Sequence, residues 1–535
     1  MARGGRGRGS GGATSAGVGG VLGWIERVGN RLPEPFVFFA LLTLLVGVVS
    51  TVLAAFGAAV VVPGEDGVTE VRGGFSAEGI RFLFTEMPAN FIGFPPMETV
   101  VTIMLAVGLA ERTGMLTALV RIAFARAPRG LLPYAVGLVG VSGSVMSDSV
   151  FIVVPPLAAM VFRAAGRHPV AGLLGGFAAA GAGYSTSVLV TSLDALFAGI
   201  TNSVVSSLAQ PGTEVTALSN YYVNVVSAVV LSLLVGVVIT RVVEPGLERS
   251  GFPRSPVVED DPPTGPADPP VDLDQVSPTV TAAERRGLAA AGLALLTLVV
   301  MLGALALWPS SPLRAEDGGY LPSSPLLSSV TTLTFLAFAV PAIAYGATTG
   351  AIRTSADVPR LVGLAVRDLS GFIVLAFALG QFVALFGWTN IGTWLAVRGA
   401  EFLRGSGLEG YPALVGFVLL ASVLNLLIIS GSSLWTLLAS VFVPMFLLVG
   451  FEPGFTQALF RAGDSVTQVI TPMNPYVIVL LTFVRRYQPT AGLGTVIARM
   501  LPFVVPFWVA WLGILTLFYV AELPLGPGMG VLVGE

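Results

Sequence analysis

Ile429-Ser-Gly-Ser-Ser-Leu-Trp435, Arg461-Ala-Gly-Asp464-Ser-Val-Thr467 and Thr471-Pro472-Met-Asn474-Pro475 lie within one stretch of the chain, separated by an apolar run to Pro444 and the short link Phe451-Glu-Pro453-Gly454. The sequence around them suits a hydrocarbon environment. A basic and an acidic residue three positions apart, with hydroxyls, an indole and prolines nearby, are out of place there. Ionisable groups are costly inside a bilayer, so they mark a transport path or a reaction site. The stretch reads as half of the substrate site of a secondary transporter.

The composition supports a membrane setting. The chain has 535 residues, 54% hydrophobic and 11% charged, with mean hydropathy +0.84; a soluble domain carries about 25% charged residues. It has no cysteine and one histidine, His168, so disulfides, thiolate metal sites and Ser-His-Asp triads are excluded or nearly so. All 28 basic residues are arginine, which excludes a lysine Schiff base or a Walker lysine. With no Gly-rich nucleotide loop, the energy source expected is an ion gradient of H⁺ or Na⁺, with no other cofactor and no nucleic-acid partner.

Along the chain, residues 1–20 read as a disordered Gly/Arg tail. Residues 21–33 have the pattern of an amphipathic interfacial helix, with Trp24 and Ile25 beside Arg27 and Arg31. The flanking arginines place the N-terminus in the cytoplasm. Residues 34–242 form a first transmembrane half, with an expected hairpin near 141–156. Residues 243–285 form a Pro-rich acidic linker. Residues 286–521 form a second half, with a hairpin near 429–450, and 522–535 a C-terminal tail. Several apolar stretches are short or interrupted, notably Phe91-Ile-Gly-Phe-Pro95 and Ser142–Pro156. The expected fold is therefore an all-α polytopic membrane protein, with about nine transmembrane helices plus two re-entrant hairpins.

The halves resemble each other. Val141-Ser-Gly-Ser144 matches Ile429-Ser-Gly-Ser432, with Pro156 and Pro444 each twelve residues beyond the last serine. Ala182-Gly-Tyr-Ser185 matches Ala462-Gly-Asp-Ser465 at an offset of 280, which sets Thr191 on Thr471 and Asp194 on Asn474. Two inverted repeats, each with a hairpin and a broken helix, would build a midplane site.

Each candidate residue has two readings. Asp194 sits in an apolar segment with no opposite charge nearby in sequence; it is a proton-exchanging acid or an acid at a helix end. Arg461 and Asp464 share a helix face. They either neutralise each other, or Arg461 binds a substrate carboxylate through its guanidinium fork while Asp464 tunes it or carries the coupling ion. Trp435 is an interfacial anchor or an aromatic stacking surface. Ser432 offers a hydroxyl or permits close helix packing. Asp148 and Asn425 could each ligate Na⁺ through oxygen, or satisfy a broken backbone. Pro453 and Pro472 shape turns or break a helix. His168 belongs to a cytoplasmic loop.

Ser147-Asp-Ser-Val-Phe-Ile-Val-Val-Pro-Pro-Leu-Ala-Ala-Met-Val-Phe162, Gly166-Arg-His-Pro169, Asp194-Ala-Leu-Phe-Ala-Gly199, Val441-Phe-Val-Pro-Met445 and Arg461 through Met473 resemble the AbgT family of p-aminobenzoyl-glutamate transporters, over nearly the whole chain. The resemblance implies a homodimer in the bacterial inner membrane, a bowl open to the cytoplasm, and ion-driven export of p-aminobenzoyl-glutamate and sulfonamide antimetabolites. It carries functional roles onto Asp194, Ser432, Trp435, Pro453, Arg461, Asp464 and Pro472. Two departures bear on substrate and ion: Ser185-Thr-Ser187 stands where the family usually has Ser-Ala-Asn, and Leu434 where it usually has Lys. The alternatives are Na⁺-coupled uptake of p-aminobenzoyl-glutamate or a dicarboxylate, an intramembrane aspartyl protease using Asp194 and Asp464, and an ion channel. Arg461 argues against the protease, because it would hold one acid ionised where a dyad shares a proton.

Overall fold

The computed structural model describes residues 33–62, 67–125, 127–206, 214–255, 280–315, 318–320, 324–406, 410–472 and 474–534. The expected N-terminal tail, the interfacial helix up to residue 32 and most of the linker lie outside the described residues.

The first half runs α1 (Pro35–Ala55), a two-stranded ribbon β1 (Ala59–Val60) and β2 (Thr69–Glu70), α2 (Ala77–Ile92), α3 (Pro95–Arg112), α4 (Met115–Ala125) and α5 (Leu132–Val141). A 3₁₀ segment, Ser142–Ser149, leads to α6 (Val150–Ala164). Next come α7 (Pro169–Ala182), α8 (Ser192–Val205) and α9 (Tyr221–Val238), which continues through a π turn into α10 (Glu244–Arg249). The second half runs α11 (Ala282–Leu307), α12 (Pro325–Ser328), α13 (Val330–Thr349), α14 (Asp357–Asp368), α15 (Ser370–Trp388), α16 (Ile391–Ser406), α17 (Tyr411–Asn425), α18 (Gly431–Leu448), α19 (Pro453–Thr467), α20 (Pro475–Arg485) and α21 (Leu493–Val520). The chain is an all-α membrane protein apart from the small ribbon. Among the described residues, eight helices are long and apolar enough to cross a bilayer, against the nine or so expected.

Length and burial separate the helices into two sets. In α11, Leu293, Leu296, Val299, Val300 and Met301 are exposed, as a lipid-facing helix requires. In α7 and α19 every residue is buried. These two helices are short and rich in small or polar side chains, so they stand inside a ring of apolar ones. Their ends are where the chain breaks: residues 183–191 separate α7 from α8, and 468–474 separate α19 from α20. Each break is tied to the tip between the two preceding helices. Ser144 Oγ donates to Thr186 O at 3.0 Å. Gln468 Nε2 donates to Ile429 O at 3.3 Å, and Thr471 Oγ1 to Leu426 O at 3.0 Å. Side-chain bonds of this kind satisfy backbone groups that neither water nor lipid reaches.

The halves also interlock. Helix α18 of the second packs on α8 of the first, and α20 of the second packs on α6 of the first. The register of their likeness differs from the one read in the sequence. Pro169 and Pro453 each open the first broken helix, and Thr191 and Asn474 each cap the second, so equivalent positions lie 283–284 residues apart rather than 280. Asp194, three residues inside α8, therefore does not correspond to Asn474.

The C-terminal segment is docked on the helices. Leu525, Met529 and Val531 are buried. Glu452 N donates to Val531 O at 3.0 Å, and Tyr222 N to Leu525 O at 2.9 Å. It thereby clamps the starts of α9 and α19.

Candidate functional site

Where α7, α8, α9 and α19 meet, a buried polar cluster joins the halves. Thr191 caps α8, and its backbone N–H and hydroxyl donate to Asp194 Oδ2 at 2.7 and 2.8 Å. This capping box fixes the carboxylate at the helix's positive end. Its other oxygen accepts from Asn224 Nδ2 at 2.9 Å and from Arg461 Nη1 at 2.7 Å. The same Nη1 donates to Ser185 O at 2.5 Å. Arg461 is 1% exposed and its guanidinium lies 5.2 Å from the centre of the Phe197 ring. Arg461 thus pairs with Asp194 across the two halves and not with Asp464 on its own helix.

Asp464 is fully buried and no cation pairs with it among the described residues; the Gln468 side chain, one turn on, is the polar group facing its carboxylate. The Asp464 backbone carbonyl accepts from Asn425 Nδ2 at 2.5 Å, and that amide also donates to Thr467 Oγ1 at 3.0 Å. Asn425 therefore holds the end of α19. A Cβ placed on Gly431 would sit 3.2 Å from Asp464 Oδ2 and 3.1 Å from the Tyr184 ring. The absence of a side chain at Gly431 is what lets the N-terminus of α18 rest on the acid.

Beside this acid a cavity of about 810 Å³ opens between the halves. The tip residues Ser430–Ser433, Asp148, Tyr184, Gln468 and Tyr476 belong to its wall. Ser432 lies there, its hydroxyl 3.2 Å from that of Ser430. Asp148 is open to the same space.

The remaining expected residues lie elsewhere. Trp435 is fully buried; its Nε1 donates to Phe197 O at 3.2 Å and Thr201 Oγ1 at 3.1 Å, and its ring packs on Phe460 at 4.7 Å. In this conformation the indole meets protein on these sides and is not part of the cavity wall. Pro453 occupies the first turn of α19, where its missing N–H costs nothing. Pro472 lies in the break after it. Leu434 is fully buried, and Ser187 Oγ accepts from Leu189 N at 3.1 Å. His168 is buried at the start of α7, with Nε2 3.1 Å from Phe252 O.

Sequence reasoning missed Thr191, Asn224, Tyr184 and Tyr476. Thr191 had a legible signal, since Thr-x-x-Asp before an apolar run is a capping pattern. Asn224 had a weaker one, as an amide within an otherwise apolar span. The tyrosines had none.

A family model for the AbgT transporters matches residues 20–532. The chain belongs to the AbgT family. It is 35% identical over 516 residues to the p-aminobenzoyl-glutamate transport protein of Escherichia coli strain K12, covering 96% of this chain and 98% of that one. Two solved AbgT structures share the fold. The YdaH transporter of Alcanivorax borkumensis superposes with a TM-score of 0.84 at 33% identity, over 92% of this chain and all of that one. MtrF of Neisseria gonorrhoeae, described with a class of antimetabolite efflux pumps, superposes with a TM-score of 0.85 at 34% identity, over 95% of this chain and all of that one. This AbgT member is accordingly a multi-pass membrane transporter of small molecules and not an enzyme. An aspartyl dyad also has no basis in the geometry, since Asp194 is engaged by Arg461.

Proposed function

We propose that the protein is a secondary transporter that exports p-aminobenzoyl-glutamate or a related aromatic carboxylate, driven by an H⁺ or Na⁺ gradient. The observation that carries the coupled mechanism is Asp464, a buried carboxylate with no ion-pair partner among the described residues, one turn from an Arg461 already neutralised by Asp194. A lone buried charge costs several kcal/mol or more, roughly, so such a group persists only with a proton or cation on it. Asp464 is therefore the seat of the coupling ion, and the cavity between the tips receives the substrate. About 810 Å³ is ample for an aminobenzoyl amino acid. Because Arg461 is engaged in this conformation, it meets a substrate carboxylate only when the halves move and its contact with Asp194 is exchanged. Reciprocal packing of α18 on α8 and α20 on α6 supports the reading of two related halves that rock about a shared site.

The test is accumulation of labelled p-aminobenzoyl-glutamate in proteoliposomes under an imposed Na⁺ gradient and, separately, a pH gradient. One of the two is expected to drive uphill movement. Equal, purely downhill equilibration under both would remove the coupled mechanism.

A further inference from the structure

We infer that Asp148, together with the ring of Tyr476, recognises the para-amino end of an aminoaryl substrate. This rests on the substrate class proposed above and adds the group that reads it.

Asp148 comes from the 3₁₀ segment of the first half, and Tyr476 opens α20 of the second; both line the cavity. Phe151 backs the tyrosine, its ring parallel within 6° at a centroid separation of 5.2 Å. The tyrosine hydroxyl lies beside the Asp148 carboxylate. Tyrosine is itself a para-substituted ring. A second aromatic ring stacked over it in the same sense carries its own para substituent to the same carboxylate. An ionised carboxylate only accepts, so the substituent it rewards is an N–H donor, which an arylamine supplies in the plane of its ring. Stacking on a held aromatic face supplies the rest of the recognition. Glu34 is the other acid of the cavity wall among the described residues; it lies at the start of α1, on a different element from the stacked rings.

Because the cavity is open to water, losing this contact is expected to cost about tenfold, less than in a sealed pocket. The experiment compares initial rates for p-aminobenzoyl-glutamate and for benzoyl-glutamate, which lacks the amine, in proteoliposomes. Wild type is expected to favour the amine about tenfold. Asp148→Ala should bring the two rates to within about twofold while Glu34→Ala keeps the preference. If Asp148→Ala does not assemble, the N,N-dimethylamino analogue on wild type gives the same readout, since it keeps the nitrogen without an N–H; its rate should fall to that of benzoyl-glutamate. Equal wild-type rates would overturn the role of Asp148 and leave the substrate class standing. So would a preference that survives Asp148→Ala, a loss of both rates by one factor, or a dimethylamino analogue as fast as the amine. Movement of neither compound by wild type would instead overturn the substrate class, and this inference with it.

Discussion

Arg461 and Asp194 are 267 positions apart and make a 2.7 Å ion pair with 1% and 3% of their side chains exposed. The sequence left Arg461 two readings, a pair with Asp464, its i, i+3 neighbour on the same helix face, or a contact to a substrate carboxylate. The structure chooses the distant acid because Thr191 and Asn224 already hold its carboxylate in place, so the guanidinium meets a preorganised acceptor. A single sequence leaves no trace of such a pairing, although it marked both residues as misplaced in an apolar setting. Removing either partner leaves the other charge buried and unpaired, at a cost of about 3–5 kcal/mol. Arg461→Ala and Asp194→Ala should each lower thermal stability in detergent strongly. The double substitution should cost clearly less than the sum of the two. Additive losses would mean that the two side chains are not paired in the folded protein.

At the scale of elements, the two broken helices were partly legible. A broken helix was expected in each half; Pro472 and Asn474 announce the break before α20, whereas no proline marks the one after α7. Helix α2 was missed because Glu78, Arg81, Glu86 and Pro88 lower its hydropathy. The break after α7 depends on close backbone approach: a Cβ on Gly183 would lie 2.4 Å from both the Cα and the carbonyl oxygen of Val141, atoms that cannot rotate away. Gly183→Ala should therefore lower stability by about 1–3 kcal/mol or more. Gly292→Ala, where the added methyl meets nothing within 4 Å, should leave stability unchanged or raise it slightly. Thermal scans of the two variants decide this. The entry to α7 carries a pH dependence. Burial, aided by Arg254, holds His168 below its ordinary 6.5, against the opposing pull of the Phe252 carbonyl, Glu244 and Glu248. The unfolded chain then takes up a proton that the folded one resists, so stability is full above pH 6.5 and declines as pH falls below it. His168→Gln should flatten that decline in a pH series of melting temperatures.

For the molecule as a whole, composition made the membrane setting plain, and the motifs from Ser147 to Met473 made the family plain. What the sequence could not show is how the halves interleave, since that depends on contacts between helices hundreds of residues apart. In the assembled fold, apolar helices such as α11 face outward, while α7 and α19 stand in the middle with their polar ends at the breaks. The proposed seat of the coupling ion is Asp464, a buried acid beside the Asp194–Arg461 ion pair. Asp464→Asn keeps a polar group of similar size and removes the charge. The decisive measurement compares this variant with wild type in two assays on the same proteoliposomes: gradient-driven accumulation, and exchange of labelled for unlabelled p-aminobenzoyl-glutamate with no gradient. Asp464→Asn is expected to retain exchange and lose accumulation. Accumulation at the wild-type level in the variant would contradict the assignment of the coupling ion to Asp464.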